Sequence, residues 1–183
     1  MSAATHALAS AGFRVARFKF GYMAARRISA LRKPPPRAET LKPEYLVAAA
    51  QLAAPGHRLI IGGKSMGGRV ASMVADELYD TGEILGLLCL GYPFHPPGKL
   101  DQLRTDHLIG LKTPTLICQG TRDEFGTKDE VQGYPLSGKI EVIWLEDGDH
   151  DLKPRKKFSG FSTADHLAAL ATATDVWAAK LAD

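Results

Sequence analysis

Two rhythms alternate along this chain: short unbroken apolar runs, and stretches whose apolar residues recur every three or four positions. Residues 84–90 and 115–119 form unbroken runs of strand length, the pattern of strands covered on both faces. Residues 58–61 and 141–145 read as two further short strands. Residues 13–20 mix Phe13, Val15, Phe18 and Phe20 with Arg14 and Lys19, and this alternation predicts another strand. Between these runs the period changes. Met66, Val70, Val74 and Leu78 are spaced by four, with Ala71 and Ala75 beside them, which is one apolar face of a helix. An Ala-rich helix is expected over residues 2–11, closed at Gly12. A second helix opens at Pro43 and runs to about Ala54, where Pro55-Gly56 ends it. Residues 101–109 predict a short helix. Ser162 and Asp165 form a capping box that opens a C-terminal helix carrying Leu167, Leu170, Ala171, Thr174 and Trp177. Pro34-Pro35-Pro36 and the stretch 91–98 are loops. Strands alternating with helices predict parallel βαβ units. The expected fold is a three-layer α/β/α sandwich with a mostly parallel sheet. No repeat or linker divides the 183 residues, so one domain over 1–183 is expected.

Composition narrows the class without naming a function. Hydrophobic residues are 45% and charged residues 23%, as in ordinary globular proteins. No apolar stretch reaches the roughly 20 residues of a membrane span, and no signal peptide is visible, so no membrane partner is expected. Cys89 and Cys118 sit in apolar runs and read as small core residues of a cytoplasmic protein. The net charge of +3 conceals an asymmetry: residues 1–38 hold eight Lys and Arg and no acid. These cations are interrupted by apolar and proline residues and match no recognition motif. A solvated face is the plainer reading, and nucleic acid is not an expected partner.

Chemistry enters at Gly63-Lys64-Ser65-Met66-Gly67, a G-x-S-x-G motif between a predicted strand and a predicted helix. In that context the motif marks a nucleophile elbow, in which a strained turn lifts the serine hydroxyl over the carboxyl edge of a sheet. Crowded backbone is expected to require glycine on both sides of Ser65. The helix N-terminus behind it favours negative charge, and the N–H of Met66 is the candidate oxyanion donor.

A serine needs a base, and six histidines compete. His6, His107 and His166 lie in helical segments, where a surface role is the default, and His57 starts a strand at the opposite edge. His150 follows strand 141–145, on the edge where Ser65 emerges. His95, after strand 84–90, is the runner-up base or a pocket residue. The orienting acid is expected after strand 115–119, where Asp123 comes first and Glu124 and Asp129 are rivals. The order Ser65, Asp123, His150 is the one this kind of fold requires. Lys64, Tyr92, His95 and Phe125 are candidate pocket residues. Lys64, Arg69, Arg122 and Lys153 stand near the motifs, where they favour an anionic substrate or are simply solvated. Asp147, Asp149 and Asp151 have calcium-loop spacing, but Leu152 replaces the required glycine and Phe158 the required glutamate, so no metal is expected. No cofactor is expected either.

The stretches 62–68, 91–98, 120–126 and 146–154 resemble the α/β-hydrolase superfamily, and within it the small dienelactone-hydrolase-like branch. They are also similar to the domain in a chromatin-complex subunit of the KANL type and in testis-expressed relatives. The resemblance covers nearly the whole chain. It implies a serine hydrolase acting on a small ester, lactone or thioester through an acyl-enzyme. The alternative is a non-catalytic interaction domain, since some relatives are scaffolds. The resemblance also implies an initial strand and a His-Gly-Ala-Gly-like turn that supplies a second oxyanion donor. No such turn precedes Phe13, so an N-terminally shortened fold is expected. The missing strand would fall between strands 13–20 and 58–61.

Overall fold

The computed structural model describes residues 2–28, 35–53 and 58–181. Four parallel strands form one sheet in sequence order: β1 (Ile60–Lys64), β2 (Gly86–Leu90), β3 (Thr115–Gly120) and β4 (Ile140–Leu145). Their register pairs Gly62 with Leu88, Leu88 with Leu116, and Leu116 with Glu141. Parallel neighbours need crossovers, and helices fill them. The helices are α1 (Ser2–Ser10), α2 (Gly21–Ile28), α3 (Lys42–Ala50) after a 3-10 turn at Ala38–Leu41, α4 (Met66–Ser72), α5 (Ala75–Asp80), α6 (Asp106–Ile109), α7 (Lys128–Val131), α8 (Lys156–Ser159) and α9 (Thr163–Lys180). No described helix is long and apolar enough to cross a membrane.

Every residue of β2 and β3 is buried, which accounts for their unbroken apolar runs. Successive side chains serve opposite layers. Leu87, Cys89 and Ile117 join Tyr45, Val70, Val74 and Leu78 on one face. Leu88, Leu90, Leu116 and Cys118 join Ala4, Leu8, Leu170 and Trp177 on the other. The three-layer α/β/α arrangement is therefore present, with α1 and α9 on one side and α3, α4 and α5 on the other. Both cysteines are free, and burial pushes the Cys118 thiol up to about 12 and Cys89 higher still.

Several boundaries differ from those expected. The helix after Ser65 breaks at Met73-Val74 into α4 and α5. The strand before it, expected to end at Ile61, extends through Lys64, so the turn contracts onto Ser65 itself. The helix expected to reach Ala54 ends at Ala50; its predicted stop at Pro55-Gly56, like His57 and Pro34, lies outside the described residues.

The largest correction concerns residues 13–20, which form no strand. Their aromatic residues pack on a helix instead of pairing with the sheet. The Phe18 and Phe20 rings meet at 5.2 Å between centroids, and Phe18 lies 5.3 Å from the Tyr45 ring of α3. Tyr45 explains why no ladder forms there. Its hydroxyl donates to the Gly62 carbonyl at 2.7 Å and accepts from the Gly62 N–H at 2.9 Å. One phenol thus occupies both outward-facing polar groups of Gly62, at the centre of an edge strand that pairs with no other described strand on that side. An uncovered edge invites pairing with other chains.

Replacing Tyr45 with Phe keeps the ring packing and orphans both Gly62 groups. We expect Y45F to lose about 1–3 kcal/mol of unfolding free energy in urea titrations, without a change in m. A loss below about 0.5 kcal/mol would show that the hydroxyl is dispensable.

Candidate active site

Ser65 follows β1 directly and caps the start of α4. Ser65 adopts φ 52° and ψ −118°, a conformation that L-residues rarely take and that costs about 1–3 kcal/mol. Its N–H donates to the Leu90 carbonyl at 3.0 Å, and its carbonyl accepts from Arg69 N–H at 3.0 Å. These bonds tie the turn to β2 on one side and to the first turn of α4 on the other. The turn also requires close backbone approach. A Cβ on Gly63 would stand 2.5 Å from the Gly67 carbonyl carbon and 2.7 Å from Gly68 N. The expectation of glycine on both sides of Ser65 holds on one side only. Space around Gly67 is open, and the second crowded position is Gly68, where a Cβ would stand 2.8 Å from the Gly63 carbonyl oxygen.

Three strand-end loops bring Ser65, His150 and Asp123 together. His150 Nε2 lies 2.8 Å from Ser65 Oγ, and His150 Nδ1 lies 2.9 and 3.0 Å from the two carboxyl oxygens of Asp123. Asp123 has no exposed surface. The Phe125 ring covers the imidazole at 4.2 Å between centroids, and the Phe125 N–H donates to Asp123 Oδ1 at 2.9 Å. Gln119, on which sequence reasoning was silent, donates from Nε2 to Asp123 Oδ2 at 2.9 Å. Its one signal in the sequence is a lone amide closing an apolar run. Met66 begins α4, so its N–H belongs to the first helical turn, where backbone donors lack helical partners.

Other expected site residues lie elsewhere. Tyr92 is fully buried, with its hydroxyl on the Arg104 carbonyl at 3.1 Å, and it belongs to the core rather than a pocket. His95 is 1% exposed, bonded through Nδ1 to the Pro96 carbonyl at 2.9 Å and paired through Nε2 with Glu130 at 3.4 Å. The loop after β2 buries both side chains. Lys64 does stand beside the site, but its ammonium is held by Asp151. His166 is also not a surface residue: it is 4% exposed and its Nδ1 meets the Leu152 carbonyl at 2.9 Å, beneath the His150 loop. An open depression of about 480 Å³ adjoins the imidazole, lined by Arg122, Glu124, Asp149, His150 and Asp151. Of these, only His150 was expected as a site residue; Arg122 was weighed as a nearby charge, and Glu124 as a rival acid.

The His150 loop is braced by charge. Asp147 takes φ 56° and accepts from the Arg155 N–H at 2.6 Å and Arg155 Nε at 2.9 Å. The Arg155 side chain, helped by its backbone N–H and by Arg122, holds the Asp147 carboxyl at about 2, below the usual range. Asp149 Oδ1 accepts the N–H groups of Asp151 and Lys153 at 2.8 and 2.9 Å. The three aspartates with calcium-loop spacing are thus engaged by cations and backbone donors. The same holds for the cations named in sequence. Arg69 pairs with Glu39 at 3.2 Å, Lys153 with Asp151 at 3.4 Å, and Arg122 with Asp147 at 3.2 Å.

Comparison with known proteins decides the family. A family model described as an alpha/beta hydrolase domain matches residues 1–179. The chain belongs to the alpha/beta hydrolase family. Among solved structures, this hydrolase domain is similar to the esterase domain of a Rhodothermus marinus protein, with a TM-score of 0.63, 19% identity, and coverage of 98% of this chain and 78% of that one. It is also similar to a thermophilic esterase from Thermogutta terrifontis, at TM-score 0.56 and 16% identity over 83% of this chain and 75% of that one. An alpha-beta serine hydrolase homologue from Coxiella burnetii matches at TM-score 0.55 and 15% identity, covering 80% of this chain and 64% of that one. At these identities the likeness establishes the fold that the hydrolase family shares.

Asp147 generates a pH prediction. A carboxyl lowered in the folded state contributes stability above its unfolded value of about 3.9, and that contribution disappears as pH falls through about 2. D147N should therefore melt below the wild type at pH 7, and the gap should close between about pH 4 and pH 2. A constant gap across that window in thermal melts would assign the effect to something other than this charge.

Proposed function

We propose that this protein hydrolyses a small ester, lactone or thioester through a covalent acyl-enzyme. The observation that carries the reading is the continuous contact from Ser65 Oγ through His150 to the buried Asp123, beginning at a strained positive-φ backbone at Ser65. Family membership supports a hydrolase, and the resemblance to dienelactone-hydrolase-like enzymes supports a small substrate. The depression beside His150 has the volume of a small-ligand site.

The roles follow from the distances. Ser65 Oγ attacks the acyl carbon while His150 Nε2 accepts its proton, and the Nδ1–H of the resulting imidazolium stays directed at Asp123. The carbonyl oxygen takes up the displaced electron pair, and the Met66 N–H at the start of α4 is the proposed donor to it. Collapse of the tetrahedral adduct breaks the bond to the leaving oxygen or sulfur, which receives the proton from His150. Water then attacks the acyl-serine with His150 again as base, releasing the acid and restoring Ser65. Phe125 keeps solvent off one face of the imidazole.

A fluorophosphonate probe should label the wild type, and S65A should not be labelled. Ester turnover should fall by about 10⁴-fold or more in S65A and H150A alike, and the double variant should lose no more than either single one. A folded wild type that neither labels nor turns over esters would sink the reading and favour the non-catalytic interaction domain.

A further inference from the structure

Gln119 carries the last side chain of β3 and has no exposed surface. A buried amide must spend all its hydrogen-bonding groups on protein partners. Gln119 does so in one orientation. Its Oε1 accepts the Tyr92 N–H at 2.7 Å, which can only donate, so the amide nitrogen faces the other way. That nitrogen meets three acceptors: Asp123 Oδ2 at 2.9 Å, and the carbonyls of Tyr92 and Gly126 at 3.2 Å each. One amide thus joins the loop after β2, the loop after β3 and the carboxyl group that faces His150.

Consider what holds that carboxyl. Oδ1 receives the Phe125 N–H and Oδ2 receives Gln119, each at 2.9 Å, and His150 Nδ1 lies between the two oxygens. The terminal torsion of an aspartate is soft, with broad minima. Two fixed donors, one per oxygen, define the plane; one donor leaves a pivot. Water cannot replace the missing donor, because neither Asp123 nor Gln119 touches solvent.

We infer that Gln119 is a positioning residue of this site: by donating to Asp123 Oδ2 it fixes the carboxyl plane that orients the His150 imidazole. The inference rests on the reading of Ser65, His150 and Asp123 as the catalytic relay. Gln119 does not touch the reacting atoms and acts only through Asp123. The contribution belongs to turnover rather than substrate affinity, since Gln119 lies beneath the site and lines no part of the depression.

Two substitutions in the full chain test this. Q119M keeps the length and bulk of the side chain and removes the donor. Q119E offers a carbonyl to Tyr92 N–H and, with one proton held between the adjacent carboxyls, an O–H to Asp123. The readouts are ester kinetics, the fluorophosphonate labelling rate, and the downfield proton resonance of His150 Nδ1–H against the Asp123 carboxyl. We expect Q119M to lower kcat and labelling about tenfold with KM within about twofold, and to broaden the resonance away through exchange. Q119E is expected to restore the resonance and most of kcat. A folded Q119M with wild-type kcat and an intact resonance would overturn the inference. Should Q119M fail to fold, a folded Q119E that lacks the resonance would overturn it equally. If the wild type itself neither labels nor turns over esters, the catalytic reading fails, and the positioning of Asp123 is then judged on the resonance in the Ser65-intact chain alone.

Discussion

A carboxyl group without solvent is costly unless its oxygens are met by donors, and Asp123 sets this demand in the loop after β3. Each donor comes from a different piece of chain. Gln119 comes from within β3, Phe125 N–H from the loop just after it, and His150 from the loop after β4. Satisfying one buried group therefore fixes the relative placement of two strand-end loops, and through the Gln119–Tyr92 bond it fixes a third. Close packing around this point leaves little freedom. A Cβ on Gly91 would stand 2.8 Å from the His150 carbonyl oxygen and 3.6 Å from Asp123 Oδ2. The Gly91 backbone thus packs directly against the His150 loop, leaving no room there for a side chain.

The sheet makes this convergence possible. Four parallel strands in sequence order end on one edge, so every second loop returns there. Ser65 follows β1, the outer strand, which among the described residues pairs with one neighbour, β2. The other side is met by a side chain. Tyr45 holds the Gly62 peptide groups three residues before Ser65, and Phe18 and Phe20 pack around its ring. An aromatic cluster stands where a neighbouring strand would otherwise hold β1 in plane, three residues from the hydroxyl that must stay 2.8 Å from His150.

This division explains what was legible in the sequence. The alternating rhythm of unbroken apolar runs and helical stretches revealed the layers, because parallel strands buried on both faces leave that signature. The meeting of Ser65, Asp123 and His150 on one edge was legible because a residue just after a parallel strand has only one edge on which to emerge. Side-chain direction within a longer loop has no such rule. Tyr92 and His95 follow β2 as Asp123 follows β3, yet their loop folds into the core. Residues 13–20 have strand-like alternation because Phe18 and Phe20 share one side, but alternation reports a two-residue period and says nothing of whether a ladder partner is free. Gln119 stayed hidden because a single amide within an apolar run carries no period at all.

The charges around the cleft follow a different logic from the buried carboxyl. Lys64 precedes the nucleophile candidate by one residue and Asp151 follows His150 by one, and the two are paired. Lys64 draws the Asp151 carboxyl below its usual range, and Lys153 adds to the effect. Half-exposed pairs of this kind add little to global stability, because water screens them and ordering long side chains costs entropy. Their effect is local: each cation beside the site meets a neighbouring carboxylate before any ligand arrives. An anionic substrate would have to displace Asp151 from Lys64 or Asp147 and Asp149 from Arg122, and both exchanges separate opposite charges. The bracing that keeps the His150 loop in place therefore argues against reading these cations as a substrate clamp.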